Sequence, residues 1–294
     1  MRLVVIASPS FAPLSMLAGR DFIASENPET LRDTEIVALA PRYGDVLREL
    51  LPTANRLRWV HALGAGVETL PLDALRHVVV TNSRGLYADA LAEFVLAAML
   101  WFAKDLARLE RNKTAHLWEP YTVTRLEGET VGIVGYGGIG WAVRRRAEAL
   151  GMRVTAVSRH DGDIDDVIDA ADYLVLSTPL TRATRGLISA ARLARMKPSA
   201  VLVNVARGPV VDETALVDAL RHHRIRGAAL DVYDTEPLPP AHPLWSLDNV
   251  LLSPHTADHT ADSHERAMRF FLENLARFER GQALRNVVDV ALGY

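Results

Sequence analysis

Val131-Gly132-Ile133-Val134-Gly135-Tyr136-Gly137-Gly138-Ile139-Gly140 is the stretch that decides the fold. Its first half is a short apolar run suited to a strand buried on both faces. Its second half is glycine-rich and leads into Trp141–Leu150, which reads as a helix. Gly135, Gly137 and Gly140 have the spacing G-x-G-x-x-G. The first glycine allows a tight turn, the second lets the backbone approach a pyrophosphate, and the third lets helix and strand pack closely. Gly138 and Ile139 open the helix, whose N-terminus then faces the phosphates. The glycine pattern alone is a weak signal. Here a second strand, Arg153–Val157, follows the helix, and that setting points to a dinucleotide.

About 20 residues further on, such sites normally carry Asp or Glu for the adenosine ribose hydroxyls. This chain has Ser158-Arg159-His160 there. A missing carboxylate removes repulsion against a 2′-phosphate, and an arginine supplies a planar, always-charged partner for it. The substitution predicts NADP(H) as the preferred cofactor, with NAD(H) possible.

Outward from this stretch, short β-branched runs alternate with helical segments almost from end to end. Strands are expected at Leu3–Ala7, Glu35–Ala38, Trp59–Ala62 and Val78–Thr81. A second series runs through Thr130–Val134, Arg153–Val157, Tyr173–Leu176, Val201–Asn204, Gly227–Leu230 and Val250–Leu252. Strand–helix–strand repetition implies an α/β protein with two parallel sheets covered by helices. The 294 residues suit two domains, at the ~150 that one domain usually takes. Ala88–Leu109 reads as one long packed helix joining them, and about Ala261–Arg280 as a closing helix ended by Gly281. Arg285-Asn286-Val287-Val288-Asp289-Val290 can then return to the first domain. The expected division is 1–89 with 265–294, and 90–264.

Composition narrows the function. Net charge is −3, with Lys+Arg 33 against Asp+Glu 36, which argues against a broad footprint for nucleic acid or anionic membrane. The chain has no cysteine, so disulfides, thiolate metal sites and a cysteine nucleophile are excluded. The longest apolar run, Phe94–Ala103, is about half the ~20 residues that span a bilayer. A soluble, cytoplasmic protein is expected.

Three stretches follow strands of the second series: Val203-Asn204-Val205-Ala206-Arg207-Gly208, Asp231-Val232-Tyr233-Asp234-Thr235-Glu236-Pro237, and Leu252-Ser253-Pro254-His255-Thr256-Ala257. Ligands of open α/β sheets bind beyond the carboxyl ends of the strands. Arginine can clamp a carboxylate and polarise a carbonyl, and histidine exchanges a proton near neutral pH. The three types together suit an α-keto acid.

With these motifs and Gly64-Ala65-Gly66-Val67-Glu68, Thr81-Asn82-Ser83 and Leu126–Gly135, the chain resembles the D-isomer-specific 2-hydroxyacid dehydrogenases, above all NADP-using glyoxylate/hydroxypyruvate reductases. The resemblance implies two Rossmann-like domains, the first flavodoxin-like and completed by the C-terminus, with the active site in the cleft between them. It makes His255 the general acid/base, Glu236 its partner, and Arg207 the ligand of the substrate carboxylate and carbonyl. The loop Leu63-Gly64-Ala65-Gly66 would offer N–H groups to that carboxylate. Thr178, Pro179 and Ala206 would line the cofactor, and Asp231 would lie near the nicotinamide. A homodimer is implied, in which the loop holding Trp118 could reach a neighbouring subunit.

Departures from the family pattern are the missing ribose acid and Thr256-Ala257-Asp258-His259-Thr260, where many members have a glycine near Asp258. His255, His259 and His264 invite a metal site, but Pro254 keeps that stretch extended, and none is expected. Arg144-Arg145-Arg146 lies beyond the first turn of its helix and reads as a solvated face or a partner contact. His222 and His223 read as solvated, and Arg42-Tyr43 as either a substrate contact or a surface loop. Alternatives on the same fold are an NAD(P)-sensing, corepressor-like protein and a D-3-phosphoglycerate dehydrogenase.

Overall fold

The computed structural model describes residues 2–159 and 161–294, so His160 lies outside the described residues. The chain forms two compact units, Met1–Tyr87 with Thr260–Tyr294, and Ala88–His259. The strands are β1 (Leu3–Ile6), β2 (Phe22–Ser25), β3 (Ile36–Leu39), β4 (Trp59–Ala62), β5 (Val79–Asn82), β6 (Thr130–Val134), β7 (Arg153–Val157), β8 (Tyr173–Leu176), β9 (Val201–Asn204), β10 (Gly227–Leu230) and β11 (Val250–Leu252). The helices are α1 (Gly44–Leu50), α2 (Ala88–Lys104), α3 (Leu106–Thr114), α4 (Gly138–Ala149), α5 (Ile164–Ala170), α6 (Ala190–Leu193), α7 (Glu213–Arg221) and α8 (Ser263–Glu279).

In the first unit the sheet is parallel, with order β2-β1-β3-β4-β5, the flavodoxin-like arrangement. β1, β3 and β4 are buried along their whole length, which is why they read as unbroken apolar runs. β2 was not foreseen. It is an edge strand, half-exposed, and Phe22-Ile23-Ala24-Ser25 carries too little pattern to announce it. One face of the sheet packs Val4, Ile6, Val37 and Val60 against Leu31, Leu47, Leu75 and Val288. The other packs Val5, Ile36 and Trp59 against Met268, Phe271 and Leu275 of α8. The last residues close the unit: Val288 N–H donates to Val80 O at 2.8 Å, and Asn286 Nδ2 to Arg84 O at 2.8 Å.

In the second unit six parallel strands run in the order β11-β10-β9-β8-β6-β7. The chain leaves β6 for β7 on one side and returns to β8 on the other. That reversal places the topological switch at the carboxyl ends of β6 and β8, where open α/β sheets bind ligands. The single long helix expected over Ala88–Leu109 is corrected to two. Asp105 takes a left-handed conformation, φ 48°, and its carboxylate accepts the Arg108 N–H, ending α2 and capping α3. Aspartate tolerates that conformation and caps well, so one residue outweighs the apolar periodicity around it. No helix among the described residues is long and apolar enough to cross a membrane.

Candidate active site

The three glycines of the nucleotide loop are held for different reasons. Gly135 has φ 100°, and a Cβ there would lie 2.7 Å from Ser177 C and Thr178 N. Ser177 Oγ donates to Gly135 O at 2.7 Å and pins the turn to the end of β8. A Cβ at Gly140 would lie 2.5 Å from Gly135 O, so α4 can pack on β6 only without one. A Cβ at Gly137 would meet nothing within 4 Å. The fold therefore demands the outer two glycines, while the middle one leaves open space before the N-terminus of α4. Thr178 Oγ1, next to Gly135, is buried with no partner among the described residues. An open cradle, a helix N-terminus and an unmatched hydroxyl fit the pyrophosphate of a dinucleotide.

Ser158 and Arg159 stand at the end of β7, the strand beside β6. Ser158 N–H donates to Asp161 O at 3.0 Å, which forms a tight turn with Arg159 exposed upon it. The arginines of α4 find partners within the unit. Arg144 bonds Glu148 at 2.7 Å and Tyr136 Oη at 3.1 Å, and Arg146 bonds Asp89 at 2.8 Å.

The other candidates converge at the carboxyl ends of β9, β10 and β11. His255 Nδ1 donates to Glu236 Oε2 at 2.7 Å, which leaves Nε2 as the ring nitrogen not engaged by Glu236. Glu236 Oε1 accepts the Tyr233 N–H at 3.0 Å, which fixes the carboxylate. His255 has φ 57°, uncommon for a residue with a side chain. Asp231 holds that turn from below: its buried Oδ1 accepts Ser253 Oγ at 2.6 Å, Thr256 N at 2.9 Å and Ala257 N at 3.1 Å. Arg207 sits on a loop shaped by Asn204, whose Oδ1 accepts Ala206 N at 3.0 Å and whose Nδ2 donates to Arg207 O at 3.1 Å. Gly208, next along, presses against the Tyr233–Asp234 peptide so closely that a Cβ would overlap it. The arginine loop and the glutamate loop are thus one packed body.

Charge reinforces this geometry. The hydrogen bond from Glu236 raises the His255 pKa above the usual histidine value; burial and the Arg207 charge oppose it, and Asp231 adds to it. Burial pushes Glu236 up, but the His255 and Tyr233 hydrogen bonds and the Arg207 charge outweigh burial and hold it low. Burial raises Asp231. The shifts favour the charged form of both partners in the His255–Glu236 pair, a pair suited to giving a proton to an oxyanion, with the Arg207 guanidinium suited to holding a carboxylate.

In the first unit, the loop Leu63-Gly64-Ala65-Gly66 has three of its carbonyls occupied. Leu63 O accepts Tyr87 Oη at 2.7 Å, Gly64 O accepts Ser83 N at 2.9 Å, and Ala65 O accepts Asn82 Nδ2 at 2.7 Å. The N–H groups of Gly64, Ala65 and Gly66 meet no acceptor among the described residues, as an anion-binding loop requires. Of the other histidines, His264 lies against the Phe11 ring and His259 Nε2 is 3.7 Å from Asp258. Sequence reasoning did not single out Asn204, Gly208, Tyr233 or Ser253. Asn204 had a signal, an amide ending a buried apolar strand.

Comparison with known proteins gives a consistent result. The family model for the D-isomer specific 2-hydroxyacid dehydrogenase NAD binding domain matches residues 96–257. A glyoxylate reductase of Korarchaeum cryptofilum (strain OPF8) is 34% identical over 261 residues, 82% of this chain and 79% of that protein. A D-3-phosphoglycerate dehydrogenase of Archaeoglobus fulgidus is 31% identical over 280 residues, 87% of this chain but 53% of that longer protein. Among solved structures, an NADPH-dependent glyoxylate/hydroxypyruvate reductase from Sinorhizobium meliloti, in complex with NADP and sulfate, is 28% identical. It covers 100% of this chain and 99% of its own, with a TM-score of 0.88. Motif, strand order and sequence identity agree: the chain belongs to the D-isomer specific 2-hydroxyacid dehydrogenase family.

Proposed function

We propose that this 2-hydroxyacid oxidoreductase is an NADP(H)-preferring reductase of small 2-oxoacids, with glyoxylate and hydroxypyruvate the first candidates. The observation that carries the reading is the 2.7 Å His255–Glu236 bond next to Arg207. When bound, the nicotinamide supplies the hydride. Arg207 binds the substrate carboxylate and draws electron density from the carbonyl. His255 protonates the developing alkoxide from Nε2, and Glu236 keeps that proton in place at Nδ1. The N–H groups of Gly64, Ala65 and Gly66 serve the carboxylate, while that of Leu63 donates to Leu39 O at 2.9 Å. Thr178, Pro179, Ala206 and Asp231 belong to the cofactor side of the site.

Cofactor preference rests on Arg159 standing where a ribose acid would be. The glyoxylate reductase of K. cryptofilum and the NADP complex from S. meliloti support the substrate and cofactor classes. We place the active protein as a homodimer: Trp118 is 94% exposed beside an exposed Leu117, apolar surface that a second copy would cover. The test is a screen of 2-oxoacids with NADPH and NADH, following nicotinamide absorbance. Turnover of glyoxylate or hydroxypyruvate, with kcat/KM for NADPH about tenfold or more above NADH, is expected. Arg159→Glu should reverse that preference. An NADH preference in the unaltered chain would defeat the cofactor assignment, and silence on every 2-oxoacid would defeat the substrate class.

A further inference from the structure

Behind the loop that carries Glu236 lies a second histidine–glutamate pair. Glu213 is the first residue of α7, fixed in direction because Asp212 caps that helix by accepting Ala215 N at 3.0 Å. Its Oε2 accepts the Asp234 N–H at 3.1 Å, and its Oε1 lies 3.2 Å from His242 Nε2. His242 Nδ1 accepts the Leu244 N–H at 3.3 Å, so the ring proton is on Nε2 and donates to Glu213. The side chains of this pair are only 19% and 16% exposed, against 38% and 32% for His255 and Glu236. One pair is open to a ligand and the other is closed in.

We propose that Glu213 and His242 are positioning residues for the reaction, holding the Tyr233–Glu236 loop so that the Glu236 carboxylate meets His255. Two consecutive peptide N–H groups of the loop are each taken by a carboxylate: Tyr233 N–H by Glu236 and Asp234 N–H by Glu213. The first bond sets the Glu236 side chain relative to the loop, and the second sets the loop relative to α7. Gly208 presses on the same peptide from the arginine side. With the Asp234 N–H released, no other hydrogen bond among the described residues ties that peptide to α7, and Glu236 can drift from the 2.7 Å contact in which it accepts the His255 Nδ1 proton. Asp212 and Arg185 also act on Asp234, whose carboxyl is raised by burial and by the Glu213 charge. The charged groups facing His255 itself are Glu236, Arg207 and Asp231. The inference rests on the reductase reading for its link to catalysis, but the coupling it asserts is measurable without turnover.

Two variants test it. Glu213→Gln turns one carboxylate oxygen into an NH2, so either the Asp234 N–H or the His242 Nε2–H loses its acceptor. His242→Asn keeps an acceptor near Leu244 N and removes only the donor to Glu213. The measurement is the titration of His255 by 15N NMR in protein labelled at histidine, assigned with His255→Ala, alongside kcat/KM against pH and the Kd for NADPH. Both variants should move the His255 titration, and the alkaline limb of the reduction profile, to lower pH. In each, kcat/KM should fall about ten- to a hundredfold with NADPH affinity unchanged, the size expected from misplacing a catalytic group by about an ångström. If Glu213→Gln does not fold, His242→Asn decides. A His255 titration that stays put in the folded variants overturns the inference even if activity falls. A wild-type chain that turns over no 2-oxoacid overturns the functional reading instead, and the NMR comparison still decides this one.

Discussion

In the proposed reduction, protonated His255 is the acid, and Glu236 governs the pH range over which that acid exists. Because the histidine pKa is raised above 6.5, chiefly by the Glu236 hydrogen bond, the proton is retained above the ordinary range. Reduction should therefore decline as pH rises through the raised value, at higher pH than for an ordinary histidine, whereas the reverse oxidation should decline as pH falls through it. His255→Ala should lower kcat by roughly 10²–10⁴, the usual worth of a positioned acid, with the Kd for NADPH from fluorescence titration nearly unchanged. Turnover that survives the substitution would remove His255 from the chemistry. At this scale the convergence of the candidate residues was legible, because Arg, Glu and His stand at strand ends in three short stretches. The residues that hold them were not. Tyr233 Oη lies 2.8 Å from Ser253 O, 20 positions away, and Asp231 binds N–H groups 25 and 26 positions on. Such bonds join side chains to distant backbone and leave no local pattern.

Elements impose a coarser constraint, that loops from successive strands must approach one another without strain. The closest approach at the site is Gly208 against the Tyr233–Asp234 peptide, where backbone, rather than a flexible side chain, fills the space a Cβ would need. Gly208→Ala should therefore push the Arg207 loop away from the Glu236 loop. An overpacked core position costs about 1–3 kcal/mol, and here the displaced atoms belong to the loops that carry Arg207 and Glu236. The expected outcome is a kcat/KM loss larger than the fall in Tm would account for, with substrate KM raised because Arg207 moves. Unaltered kinetics would mean that the two loops are not coupled. The strand–helix alternation was readable from apolar runs because seven of the eleven strands are buried along their whole length. It failed where burial is partial, at the edge strand β2, and where one side chain overrode periodicity, at Asp105.

For the whole molecule, the consequence is that the two units depend on different parts of the chain. Ala88–His259 is continuous, whereas the first unit needs Thr260–Tyr294 to complete it. The sequence showed this through a β-branched segment after the last helix with no sheet of its own to join. What it did not show is how His61 would sit there. His61, in the middle of β4, is wholly buried against the Phe270 and Phe271 rings of the returning helix. Its Nδ1 meets Thr81 Oγ1 at 2.7 Å, while Nε2 has no partner among the described residues. Burial lowers its pKa to about 3, so the native ring stays neutral while the unfolded ring, at about 6.5, takes up a proton. The sign follows from linkage: below about pH 6.5 the unfolded state binds more protons, and stability is lost as pH falls toward 3, by about 1.4 kcal/mol per pH unit at most. Calorimetry between pH 7 and 4 should show the transition of the first unit moving down, while the nucleotide-binding unit, stabilised by added NADPH, moves less. His61→Leu removes the titrating ring without the charge problem and should flatten that acid dependence. If the variant and the parent lose Tm in parallel over this range, His61 is not what limits the first unit in acid.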